Sequence, residues 1–159
     1  MQLFLDMDGV LADFDAGACA ALETTNSYKW EWIHGSEAFW GRLNANPNFF
    51  ADLPPMADAL HLFGNVRHLN PMILTALPKK DATDVAGQKR SWIAKYLGDN
   101  VPVITCLTSE KPDYCVPGDI LIDDRSVNQS AWTESGGRFV LHTDAKSSLE
   151  RLRWWGVIQ

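Results

Sequence analysis

Short apolar runs at 3–5, 72–74, 101–106, 120–122 and 138–141 each end in polar or small residues. Runs this short and rich in Ile, Leu, Val and Phe read as strands buried on both faces, as in a parallel sheet. Between the later runs lie stretches of helical length. Residues 83–97 carry Val85, Trp92, Ile93, Tyr96 and Leu97 on one stripe and then Gly98 as a stop. Residues 127–135 and 145–154 read as helices too. Alternating strands and helices imply an α/β fold with a doubly wound parallel sheet.

One stretch breaks the alternation. Residues 16–55 contain no good strand but many rings, among them Tyr28, Trp30, Trp32, Phe39, Trp40, Phe49 and Phe50. This stretch reads as a mostly helical insertion after the first strand, closing at Leu53-Pro54-Pro55, with 56–68 returning as a helix. The expected organisation is a core of 1–15 and 56–159 and a small helical cap of 16–55.

With 159 residues, 46% hydrophobic and 21% charged, the chain has material for one real core. A formal net charge of −6 argues against gripping long nucleic acid through its phosphates. Cys19, Cys106 and Cys115 are odd in number and lack CxxC spacing, so neither a disulfide framework nor a zinc knuckle is expected. The opening MQLFLDMDGV has no signal-peptide character, and no apolar run is long enough to cross a bilayer. The expectation is a cytoplasmic protein with no membrane partner; a homodimer is compatible with it.

The chemistry concentrates at strand ends. In Asp6-Met7-Asp8-Gly9-Val10, an extended chain points residues two apart to one side, so Asp6 and Asp8 can approach one reaction centre. Gly9 is free to turn the chain that follows. The run at 120–122 likewise ends in Asp123 and Asp124. Both pairs then lie at the carboxyl edge of the sheet, where open α/β folds bind ligands. Neighbouring strands would crowd four carboxylates together and raise one another's proton affinity. An oxygen-only cluster of this kind suits Mg²⁺.

A single Asp at a strand end is usually a cap or turn former, but two pairs are hard to explain that way. An EF-hand loop fails because its sixth position is Leu11 and its twelfth is Gly17. Thr75, at the end of 72–74, offers a hydroxyl to a phosphate oxygen. Lys79, Lys80 and Lys111 offer positive charge near the crevice, where a transferring phosphoryl group needs it.

In this order, the residues resemble the haloacid-dehalogenase (HAD) superfamily of aspartate-nucleophile phosphotransferases. Asp6-x-Asp8-Gly-Val resembles the first motif, Leu74-Thr75 the second, a lysine the third and Asp123-Asp124 the fourth. More narrowly, DMDGVLADF, PNFFADLPPM, QKRSWIAKYLG and LIDDR resemble the 5′(3′)-deoxyribonucleotidase branch.

The resemblance implies a HAD-like core with a small cap and a phosphate monoester hydrolase, 5′-nucleotidase-like, with a nucleotide as its small-molecule substrate. It implies that Asp6 is the nucleophile and Asp8 the acid and base. Mg²⁺ would be held by Asp6, the Asp8 carbonyl, and Asp123 or Asp124. Thr75, Ala76, Lys79 and a third-motif lysine would serve the phosphate. Lys111 is preferred for that lysine, while Lys89 reads as bracing the site or an acidic neighbour. Phe14, Trp30, Trp32 and Trp40 would stack on a base, or simply fill the cap's own core.

An Asp of ordinary pKa, near ~4, would be a competent nucleophile at neutral pH. Asp8 favours a phosphatase over the dehalogenases of this fold, which lack the second aspartate. Ala76 stands where this branch has Ser, and Ser109 where it has Arg, which bears on the substrate rather than on phosphoryl transfer. Two further readings stay open: a phosphatase of nucleic-acid termini or other small esters, and a non-catalytic binding module.

Overall fold

A computed structural model describes residues 1–80 and 83–159. Five strands form one parallel sheet: β1 Leu3–Leu5, β2 Met72–Ala76, β3 Val103–Cys106, β4 Ile120–Asp123 and β5 Arg138–Leu141. Their spatial order is β3-β2-β1-β4-β5, so the chain winds outward from β1 in both directions. The doubly wound sheet is as expected. β3 starts two residues later than the apolar pattern suggested, because Pro102 has no N–H for a ladder; its carbonyl still accepts from Ile73 N–H at 2.8 Å.

The helices are α1 Phe14–Leu22, α2 Ser27–His34, α3 Ser36–Asn44, α4 Ala59–Val66, α5 Val85–Tyr96, α6 Gln129–Glu134 and α7 Ala145–Trp154. Side chains that favour caps start several of them. Asp13, Asn26, Asp84 and Asp144 each accept a hydrogen bond from a backbone N–H in the first turn. The helix expected at 127–135 is split into a 3₁₀ turn, Ser126–Asn128, and the short α6. No helix among the described residues is long and apolar enough to cross a membrane.

Helices α1, α2 and α3 stand between β1 and the return at Pro55, where the sequence called for a helical insertion. Its two limbs are stitched together. Asp13 N–H donates to Pro54 O at 2.7 Å, Met56 N–H donates to Leu11 O at 2.8 Å, and Ala12 bridges Pro55 in antiparallel fashion. Phe39, Leu43, Phe49, Phe50 and Leu53 from this region share one apolar cluster with Leu3, Leu5, Ile73, Ile120 and Ile122 of the sheet. The insertion is therefore fastened to the sheet's own core.

Candidate active site

Asp6 follows directly on β1, and its N–H continues the ladder by donating to Ile122 O at 2.9 Å. This bond seats Asp6 beside the end of β4, which is Asp123 itself. Carboxylate oxygens of Asp6, Asp123 and Asp124 lie within 4.8 Å of one another. Acids far apart in sequence thus meet at the carboxyl edge of the two central strands.

The turn after Asp6 explains its glycine. The Leu11 and Ala12 N–H groups both donate to Met7 O, at 2.8 and 2.9 Å, curling the chain tightly. Gly9 sits at φ +79°, and a Cβ built on it would overlap the Asp124 carboxylate. Only glycine combines that conformation with that close approach.

Two buried lysines divide the acids between them. Lys111 lies on a 3₁₀ helix, Thr108–Tyr114, just after β3. Its Nζ is 3.0 Å from Asp6 Oδ2 and 2.7 Å from Asp123 Oδ2. Lys89 comes from α5, and its Nζ donates to Asp8 Oδ2 at 2.7 Å, Thr75 Oγ1 at 2.8 Å and Ala76 O at 2.7 Å. From the sequence, Lys111 is preferred for the phosphate and Lys89 reads as bracing the site or an acidic neighbour. The fold brings both to the acids, Lys111 to Asp6 and Lys89 to Asp8.

Burial pushes the Asp6 carboxyl up to about 7; Lys111 opposes this, while Asp123 and Asp8 add to it. Burial and the neighbouring Asp123 likewise raise Asp124 to about 6. Desolvation works against the Lys111 charge, but Asp6 and Asp123 outweigh it and hold its ammonium above the ordinary lysine range. The upward direction is the one that crowding of the carboxylates implied, and positive charge beside Asp6 favours its ionised form.

The donor set fits a hard divalent cation. All its atoms are oxygens, and Asp124 Oδ1 is buried without a hydrogen-bond partner. Asp123 differs: its Oδ2 is taken by Lys111 and its Oδ1 accepts from Arg125 N–H at 2.9 Å. Asp6 Oδ1 accepts from Met7 N–H at 2.8 Å. A cation would find Asp124 the acid with an unengaged oxygen.

The remaining residues singled out by sequence scatter more. Thr75 is wholly buried beneath Lys89, and Ala76 is half-buried at the end of β2. Lys79 is exposed in the loop after β2. Phe14 packs against Phe49, Phe50 and Trp40, with ring centroids 5.6, 6.0 and 6.1 Å away, and Trp30 stacks on His34 at 4.2 Å. Trp32 is 86% exposed. Residues two apart on a helix face different ways, so α2 cannot turn Trp30 and Trp32 to one surface, and the grouping of Trp32 with the other rings does not hold.

Sequence reasoning missed Gln88 and Trp92 as parts of the site's support. Gln88 Oε1 accepts from Phe50 N–H at 2.9 Å and Ala51 N–H at 3.2 Å, and Trp92 Nε1–H donates to Leu53 O at 2.8 Å. The signal was present. Gln88 and Lys89 stand three and four residues after Val85, on the apolar stripe that continues at Trp92. Two polar residues on a core-facing stripe imply buried partners.

The chain is similar to known proteins in sequence and in fold. A protein of Bordetella pertussis named as a 5′(3′)-deoxyribonucleotidase is 29% identical over 142 residues, covering 80% of this chain and 75% of that one. The human mitochondrial 5′(3′)-deoxyribonucleotidase is 29% identical over 151 residues, covering 79% and 62%. In fold, the chain is similar to a hydrolase from Streptococcus pneumoniae, with a TM-score of 0.59 at 14% identity over 96% of this chain and 97% of that one. The family model for 5′ nucleotidase, deoxy (Pyrimidine), cytosolic type C protein matches residues 1–147. This chain belongs to that 5′ nucleotidase family.

Proposed function

We propose that the protein is a Mg²⁺-dependent phosphatase of deoxyribonucleoside monophosphates that works through a phosphoryl group carried on Asp6. The observation carrying this reading is the meeting of Asp6, Asp123, Asp124 and Lys111 at one strand edge, with Asp8 beside them on Lys89. The names of the relatives supply the substrate class.

In this reading an Asp6 carboxylate oxygen attacks phosphorus while the bond from phosphorus to the nucleoside oxygen breaks. Asp8 gives its proton to that leaving oxygen. Asp8 then takes a proton from water, whose oxygen bonds to phosphorus as the Asp6–phosphorus link breaks. Inorganic phosphate leaves and both acids are restored. Lys111 holds the nucleophile in place and offers positive charge to the phosphoryl oxygens. Asp6, Asp124 and the Asp8 carbonyl would hold Mg²⁺. Bound there, the cation neutralises charge on the group in transfer.

Residues 16–55 act as a small cap in this proposal, with Phe14 packed on Trp40 and on Phe50, whose ring lies 5.3 Å from Lys89 Nζ. Phosphate release from a panel of 5′ and 3′ nucleoside monophosphates, with Mg²⁺ and with chelator, tests the reading. Release from deoxynucleotides that stops on chelation supports it. Release from sugar phosphates alone rejects the nucleotide part, and full turnover by Asp6→Asn rejects the covalent route.

A further inference from the structure

We propose that Lys89 is a positioning residue that acts through Asp8, holding the acid–base carboxyl so that Oδ2 meets the leaving group. This rests on the reading of Asp8 given above. An ammonium group has three N–H bonds, and Asp8 Oδ2, Thr75 Oγ1 and Ala76 O accept all three at 2.7, 2.8 and 2.7 Å. None remains for a phosphate oxygen. Lys89 therefore has a different task from Lys111.

The two oxygens of Asp8 are not equivalent. Oδ1 is buried and has no partner, yet the side chain as a whole keeps 27% of its surface exposed. With Oδ1 buried, Oδ2 is the carboxylate oxygen left to serve the crevice, and it is the atom that Lys89 holds. Thr75 Oγ1 and the Ala76 carbonyl accept from the same ammonium and anchor it to β2.

Lys89 is itself held firmly. It is fully buried, the Phe50 ring lies 5.3 Å from its Nζ, and its neighbours Gln88 and Trp92 are bonded to residues 50, 51 and 53. An acid–base group gains rate from being kept within hydrogen-bond reach of the atom it serves.

During the first half-reaction the proton on Oδ2 passes to the departing nucleoside oxygen. In the second, Oδ2 takes a proton from the attacking water. Lys89 gives up no proton in either.

The test compares leaving groups. A deoxynucleoside departs as an alkoxide that needs the proton of Asp8, whereas p-nitrophenolate departs without one. The constant kcat/KM covers steps only through release of the leaving group, so later hydrolysis of the phosphorylated enzyme does not blur it. Lys89→Met should lose roughly 100-fold in kcat/KM on a deoxynucleoside monophosphate and less than about 10-fold on p-nitrophenyl phosphate, in the range of a displaced general acid.

Asp8→Asn should show the same selectivity, and the double variant should be no worse than Asp8→Asn alone. Equal loss on both esters, or a Lys89→Met loss that multiplies that of Asp8→Asn, overturns the inference. Indifference of Asp8→Asn to the leaving group overturns the acid–base reading of Asp8, and the role of Lys89 with it. If thermal melting shows Lys89→Met unfolded, Lys89→Gln replaces it under the same criteria, because its shorter amide leaves Asp8 unheld.

Discussion

Lys111 Nζ lies 3.0 Å from Asp6 Oδ2, a buried ion pair at the carboxyl edge of β1. The same ammonium reaches Asp123 Oδ2 at 2.7 Å. Lysine charge is the largest influence opposing the burial of Asp6. Removing it leaves two buried acids without their shared partner and withdraws positive charge from the transferring phosphoryl group. Lys111→Met is therefore expected to cut kcat by about 10²–10³, the range for loss of one preorganised charge-stabilising donor. Steady-state kinetics on a deoxynucleotide checks this, and a loss under threefold would remove Lys111 from the site.

Folding of the metal-free protein should depend on pH in a stated direction. Asp6 is raised from 3.8 to about 7 and Asp124 from 3.8 to about 6, so the folded chain binds more protons than the unfolded chain between those values. Stability from these acids is fully present below about pH 3.8 and declines as pH rises toward 7, opposite to an ordinary salt-bridged carboxylate. A divalent cation binds the ionised form, so its stabilisation should grow over the same window. Melting with and without Mg²⁺ at pH 5 and pH 8 checks the sign: the Mg²⁺-induced rise in Tm should be larger at pH 8.

The acid pairs were legible because each terminates a buried apolar run, and such runs leave little choice of strand or of edge. Arg138–Leu141 and Ala145–Trp154 occur as read, for the same reason of clear period. Lys89 reads as bracing the site or an acidic neighbour, but which acid was not legible. Asp8 is 81 residues away, and no local pattern states that two distant segments will pack. Crowding of the acids already implied a raised Asp6 pKa, but the larger cause, burial, is a property of the assembled edge and not of the DMDGV string. Trp30 and Trp32 were grouped by composition, which ignores the helical turn that separates them.

Gly9 offers a structural test of the crevice. At φ +79° a side chain is strained, and a Cβ there would strike the Asp124 carboxylate. Gly9→Ala should cost about 1–3 kcal/mol of stability from the backbone conformation alone. It should also displace Asp124 and weaken Mg²⁺ binding. Chemical denaturation and a Mg²⁺ titration followed by calorimetry measure the two effects separately; unchanged affinity would show that Asp124 is not a ligand.

Gln88 joins the returning limb of the insertion to α5. Its Oε1 accepts from the Phe50 and Ala51 N–H groups, while its Nε2 donates to Thr83 O at 2.7 Å and to Thr83 Oγ1 at 3.1 Å. Phe50 is buried, so Gln88→Ala strands a backbone donor that water reaches poorly. The expected cost is about 1–3 kcal/mol, the penalty of an unsatisfied buried polar group. The loss should be local first, because Trp92 still holds Leu53 O and the sheet core is untouched. Hydrogen exchange should therefore quicken at residues 50 and 51 well before the amides of β1 or β4. Uniform quickening across the sheet would instead mean that Gln88 supports the whole fold and not this limb.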